Sequence, residues 1–206
     1  VADELELADD ATIGVEVTNP DGQLVAQPAA VRWRKTASLD ATWQSGVSGD
    51  AKVTGSAKAS VVDLTDPPQP GLKKAVQVEY QFAAGWKYAP VRIGKEGAAI
   101  EGKPAVVGMW VFGNASGDVL RCTVRDNTGQ TFQHSYGAIT WTGWKWITMP
   151  LDGTEAGHWG GANDGVTRYP IQWESPMLID GMRLKTDQPL QVRATGFAVG
   201  YPQPMR

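Results

Sequence analysis

The sequence predicts an all-β protein, a two-sheet antiparallel β-sandwich of the jelly-roll kind, as a single domain over residues 1–206. Three observations carry this. Apolar residues recur with period two in short runs, and no stretch shows the 3.6-residue period of an amphipathic helix. The runs are punctuated by turn residues, which 24 Gly and 13 Pro supply in abundance. A sandwich of 206 residues needs no division into two domains. About nine to eleven strands are expected.

Taken in order, an Asn-Pro-Asp-Gly turn at residues 19–22 punctuates an N-terminal hairpin. Trp33, between Arg32 and Arg34, reads as a packed strand residue. Residues 66–71 hold three prolines and cannot form a strand. Residues 75–82 alternate cleanly, with Val76, Val78, Tyr80 and Phe82 on one face and Gln77, Glu79 and Gln81 on the other. Residues 105–112 are apolar on both faces, as suits a strand covered on two sides. A hairpin at 114–117 leads into 119–125, where Leu120, Cys122 and Val124 point inward and Arg121, Thr123 and Arg125 outward. A second hairpin at 126–129 leads into a strand from residue 130 to 134. Strands are expected at 144–151, 177–185 and 190–201, with a long glycine-rich loop over 155–170. Residues 85–88 and 143–146 echo each other, but their flanks do not match, and no internal repeat is read.

Composition removes several classes of function. Nineteen basic against 22 acidic residues leave a formal charge of −3, so nothing draws the chain electrostatically to nucleic acid or an anionic membrane. No apolar run is long enough to cross a bilayer as a helix. One cysteine excludes an internal disulfide or a cysteine-rich zinc site, and two histidines leave little material for histidine metal chemistry. The sequence begins at Val1 rather than Met and reads as a trimmed or mature form. Tryptophan is the outlier, with nine residues against four Phe and five Tyr. Such rings serve as packing mass or as stacking platforms. Trp110 reads as core, as do Trp144 and Trp146, although Ile147 and Met149 compete for the interior. Trp159, in the glycine-rich run 158–161, reads either as a platform for a flat ligand or as a lid over the sandwich end. Trp86, Trp141 and Trp173 fall in or beside loops.

Residues 104–150 carry a resemblance. The strand-and-hairpin string Gly-Met-Trp-Val-Phe-Gly-Asn-Ala-Ser-Gly, the string Leu-Arg-Cys-Thr-Val-Arg-Asp-Asn-Thr-Gly-Gln and the later Trp-Thr-Gly-Trp are similar to jelly-roll carbohydrate-binding modules of the galactose-binding-like group. The resemblance covers roughly residues 70–200. It implies an extracellular or cell-surface module, without chemistry of its own, that binds a polysaccharide or oligosaccharide on a concave sheet face. It further implies a catalytic module in the same parent polypeptide, as in a glycoside hydrolase with an accessory module. Such modules often hold a structural calcium through an Asp in the last strand. Residues 195–201 here contain no acid, so a calcium is the sole cofactor in view and its ligands are not assigned.

The candidate ligand-binding residues are Gln77, Glu79, Gln81, Arg121, Thr123, Arg125 and Gln133, with His158 and Trp159 at the rim. Long planar donors and acceptors at alternate positions suit bidentate recognition of vicinal hydroxyls or of a sugar carboxylate. The competing reading is a solvated face with cross-strand Glu–Arg pairs. Two alternatives to a binding module stand. One is a polysaccharide lyase on a uronate polymer, with Arg121 and Arg125 neutralising the carboxylate, Gln133 beside them, His134 as base and Tyr136 as acid. The other is a structural sandwich with no ligand. A retaining glycosidase would need two carboxylates about 5–5.5 Å apart, and no strand carries the paired acids for it. Esterase, zinc-protease and nucleotide-binding motifs are absent. Asp9, Asp10, Asp118 and Asp126 read as turn residues, and Asp180 as a solvent-facing strand position.

Overall fold

Alternation along one strand shows how the layers arise. In β7 (Lys74–Phe82), Val76, Val78, Tyr80 and Phe82 are buried, while Gln77, Glu79 and Gln81 turn the other way. The computed structural model describes residues 17–18, 24–26, 31–36, 39–95, 97–151, 156–181 and 185–202. Among them are sixteen strands and no helix. The others are β1 (Val17–Thr18), β2 (Leu24–Ala26), β3 (Val31–Lys35), β4 (Trp43–Ser45), β5 (Ser48–Gly49), β6 (Gly55–Asp63), β8 (Lys87–Ile93) and β9 (Ala98–Ile100). They continue with β10 (Val106–Asn114), β11 (Val119–Arg125), β12 (Thr131–Ala138), β13 (Thr142–Pro150), β14 (Gly157–Trp159), β15 (Ile171–Asp180) and β16 (Leu190–Pro202).

Two antiparallel sheets face each other. The first runs β13-β10-β16-β7-β6, with β3 also on β16; the second runs β14-β12-β11-β15-β8-β4, with β5 on β8 and β9 on β15. β16 is long enough to pair with β7 through residues 190–194 and with β3 through 198–202, while β10 lines its other side. Its alternation survives that length through a bulge. Gly108 opposes Ala198 but Trp110 opposes Thr195, so β16 carries one extra residue there. Gly196 absorbs it at φ +65°, in the left-handed region that glycine enters freely. The bulge returns Phe197 and Val199 to the side that Val192 and Ala194 face.

The core lies between the sheets. Phe197 of the first sheet is stacked on Trp43 at 5.1 Å and meets Trp173 edge-on at 5.9 Å, both from the second sheet. Around this joint lie Met109 and Val111 of β10, Leu120, Cys122 and Val124 of β11, Phe132 of β12 and Ile179 of β15, all essentially inaccessible to water. Full burial of each such side chain is worth about 1.5–3 kcal/mol.

The expected elements hold with three adjustments. The strand expected from residue 177 begins at Ile171 and ends at Asp180, because Ile171 and Trp173 also pack inward. The loop at 155–170 contains the short edge strand β14. The strand total exceeds nine to eleven because several pairings are only two or three residues long. The tip of the expected 19–22 hairpin and Asp9 and Asp10 lie outside the described residues, although β1 and β2 pair antiparallel on either side of that tip.

Candidate functional site

The outer face of the second sheet gathers polar and aromatic side chains around β11. Because Leu120, Cys122 and Val124 fill the interior, Arg121, Thr123 and Arg125 emerge on the opposite side. Each arginine meets a carboxylate on the neighbouring β15. Arg121 Nε donates to Asp180 Oδ2 at 3.2 Å. Arg125 Nη2 donates to Glu174 Oε1, whose other oxygen accepts from Thr131 Oγ1 at 3.3 Å. Gln133 stands opposite Thr123 across the β11–β12 ladder. Thr123 itself is buried between its neighbours, so its hydroxyl is not offered at the surface as the sequence suggested.

Aromatic rings flank this polar centre. Trp159 pairs with Thr131, which places it on the same side as Arg125, and it is 49% exposed. Across β15, Tyr88 pairs with Asp180, and Trp86, 52% exposed, lies 5.6 Å from the Tyr88 ring. His158 behaves differently from its neighbour. It pairs with Phe132, packs 6.2 Å from that core ring and so leaves the strand on the side away from Trp159.

The loop beneath Trp159 is pinned by a buried network. Asp126 Oδ1 accepts from Thr128 N at 2.9 Å, Thr128 Oγ1 at 2.7 Å and Gln130 N at 3.0 Å, and Oδ2 accepts from Arg168 N at 3.2 Å. Burial alone would raise the Asp126 carboxyl, but these donors outweigh it and hold it below its ordinary value. Gln130, fully buried, donates to Val166 O at 3.3 Å and accepts from Gly165 N at 3.0 Å. Arg168 pairs with Asp164 at 2.6 Å, and that hydrogen-bonded guanidinium holds the Asp164 carboxyl far below the usual range. The loop passes so close that a Cβ on Gly161 would sit 2.2 Å from Gln130 N, and its φ of +51° also calls for glycine.

This surface is one of two, and the single trough expected from the sequence does not form. Gln77, Glu79 and Gln81 leave β7 on the outer face of the first sheet, with the whole core between them and Arg121, Arg125 and Gln133. There Glu79 accepts from Gln191 Nε2 at 3.0 Å and Gln81 Nε2 donates to Thr186 O at 3.4 Å. Period-two alternation states that a residue points outward, but a sandwich has two outward sides.

The same face holds the tryptophans assigned above to the core. Trp110 and Trp146 pair across β10 and β13 with rings 5.7 Å apart, and Trp33 meets Trp146 edge-on at 5.4 Å. Trp144 lies 5.3 Å from Phe112, over which the Arg193 guanidinium stacks at 4.2 Å. Their placement follows from competition: Val107, Met109, Val111, Ile147 and Met149 take the interior parity and leave the indoles outside.

The residues of the lyase alternative are also divided. His134 and Tyr136 share the inward parity of Phe132, and both are turned from Arg121 and Arg125. Burial pushes the Tyr136 hydroxyl well above its ordinary pKa, with the neighbouring Cys122 adding to the shift. For a calcium, the last strand supplies no carboxylate, and among the described residues no three His, Cys, Asp or Glu side chains converge. Asp126 spends its oxygens on four protein donors. Sequence reading missed Glu174, because the strand was begun at 177, and it missed the ion-pair role of Asp180 and the partnership of Trp86 with Tyr88.

No protein-family model matches the chain, and no curated protein matches it. Among solved structures, the fold is similar to the family 11 carbohydrate-binding module of the cellulosomal cellulase Lic26A-Cel5E of Clostridium thermocellum, with a TM-score of 0.52 and 11% identity over 85% of this chain and 97% of that one. It is also similar to a family 11 module from Clostridium thermocellum in complex with a β-1,3-1,4-mixed-linked tetrasaccharide, with a TM-score of 0.51 and 11% identity over 81% and 94% of the two chains. At this identity the likeness establishes the β-sandwich jelly roll.

Proposed function

We propose that the protein is a non-catalytic carbohydrate-binding module whose ligand, a polysaccharide or oligosaccharide, lies across the outer face of the second sheet. The observation that carries the reading is the exposure of two indoles, Trp159 and Trp86, on either side of a polar centre built from Arg121, Arg125, Glu174, Asp180 and Gln133. From β14 to β8 the face crosses four strand spacings, about 19 Å at ~4.8 Å each, a length suited to a short oligosaccharide such as the tetrasaccharide bound by the similar module. Indoles offer flat faces to the C–H surface of a pyranose. Arginines already held by carboxylates keep a fixed orientation and present their remaining N–H groups to hydroxyls.

By analogy with base stacking, each ring contributes about 1–3 kcal/mol. Two rings and a few hydrogen bonds give about −4 to −8 kcal/mol, that is, millimolar to micromolar binding. Affinity of that order suits a module that tethers a catalytic partner in the same secreted polypeptide and gains strength through multivalency. Gln77, Glu79 and Gln81 are not part of this site.

Affinity electrophoresis through gels containing a panel of polysaccharides tests the reading. Wild-type protein is retarded by at least one polymer, and Trp159→Ala and Arg121→Gln reduce the retardation while leaving the thermal midpoint nearly unchanged. Unaltered mobility of the wild type on every polymer overturns the proposal.

A further inference from the structure

The same sheet face continues past the residues assigned above. Gln133 pairs with Thr123, Thr123 with Ser175, and beyond β15 the neighbouring strand places Arg92 one residue from Val91, the partner of Met177. Arg92 in turn pairs with Gln44 of β4, with both side chains on the outer side. Here a cleft of about 490 Å³ opens, lined by Gln44, Ser45, Gly46, Arg92, Gly94 and Lys95.

Its chemistry differs from that of the centre. Arg121 and Arg125 are each neutralised by a carboxylate, whereas Arg92 and Lys95 make no ion pair and no carboxylate lines the cleft among the described residues. Counting in Glu96, the next residue in sequence, the segment still carries net positive charge. The neutral polar groups are committed to holding the walls: Gln44 Nε2 donates to Gly94 O at 2.8 Å and Ser45 Oγ to Pro90 O at 3.0 Å. Among the described residues, and beyond each glycine's own chain neighbours, nothing lies within 4 Å of where a Cβ would stand on Gly46 or Gly94, so the mouth is open. The donors left facing the space are one guanidinium and one ammonium. A guanidinium fork matches two oxygens of a carboxylate or sulfate at once, and an ammonium adds a point charge. Because the whole chain carries −3, an anion is favoured here by local rather than overall charge.

We infer that this cleft is a subsite for an anionic substituent, a carboxylate or a sulfate or phosphate ester, carried by a glycan that crosses the face. The inference rests on the carbohydrate-binding reading above. It assigns Arg92 and Lys95 as the residues that select a charged over an uncharged form of the same backbone.

The test is equilibrium titration of the full chain against cellulose, xylan and laminarin derivatives, each in neutral, carboxymethylated and sulfated form, with inorganic sulfate as a free-anion control. Wild-type protein binds a charged form about tenfold more tightly than its neutral counterpart. That preference shrinks as salt rises. The double variant Arg92→Gln, Lys95→Gln loses the preference and keeps its affinity for the neutral backbone. Trp159→Ala weakens both forms alike. Equal affinity for charged and neutral forms, or a preference that survives in the double variant, overturns the subsite while leaving the sheet-face reading intact. Binding of free sulfate with no polymer preference also overturns it. Absence of binding to every polymer overturns both readings together.

Discussion

Gly108→Ala probes the aromatic layer on the first sheet. Gly108 lies in β10 beneath the indoles, where an added Cβ would stand 2.5 Å from Trp146 Cζ2 and 3.0 Å from two carbons of Trp33. Ordinary contact begins near 3.4 Å, so at least one indole must move. Trp33 is 6% exposed and its Nε1, like that of Trp146, has no hydrogen-bond partner. Shape alone therefore holds these rings. Overpacking of this kind costs about 1–3 kcal/mol. Replacing a strand glycine by alanine returns about 0.5–1 kcal/mol of chain entropy, which leaves a net loss of about 1–2 kcal/mol. For a chain of this size the thermal midpoint falls by about 2–8 °C. Circular dichroism melts read the midpoint, and near-ultraviolet dichroism reads the displaced indoles. Gly157→Ala is the control, since a Cβ there would meet nothing within 4 Å beyond its chain neighbours, and its midpoint should hold or rise slightly. Glycan retention should be unchanged in Gly108→Ala, because the variant lies on the sheet opposite the proposed ligand. A midpoint equal to or above that of the wild type would refute the account of the packed indoles.

Phe197→Ala removes the ring that joins Trp43 to Trp173 across the interior, and should cost about 3–5 kcal/mol in denaturant unfolding. Burial pushes the Cys122 thiol far up from its ordinary pKa, so a thiol reagent at mildly alkaline pH should fail to label the native protein and label it fully once unfolded. Asp126 and Asp164 both titrate below their ordinary value of 3.8 in the folded chain. Depressed folded values mean that their contribution is fully present above that ordinary pKa and is lost as pH falls below it toward the folded values. Stability measured against pH should therefore show an acid-side decline below about pH 4, and Asp126→Asn should remove part of it.

Much of the architecture was legible because alternation is a local property. The strands at 75–82 and 119–125 follow from side-chain parity alone, and the hairpins at 114–117 and 126–129 follow from their turn residues. Parity does not reveal which of two sheets a strand joins, and for that reason Gln77 and Arg121 read as neighbours although the core separates them. It also assigns large rings poorly where two apolar sets share a strand, as in β10 and β13, where Gly108 leaves the outer side open to the indoles of Trp146 and Trp33. Bulges defeat it altogether. The register shifts opposite Thr123 break the pattern of β15 near Pro176, and this concealed Glu174, the carboxylate that orients Arg125.

The strand that carries Trp159 is joined to its sheet by three pairings and, among the described residues, has no neighbour on its other side. What holds the platform is therefore the hydrogen-bonded loop beneath it, through Asp126 and Gln130, more than strand pairing. On the proposed reading, a sugar chain that settles on Trp159 meets a ring already held in place, so little of the contact is spent on ordering the rim.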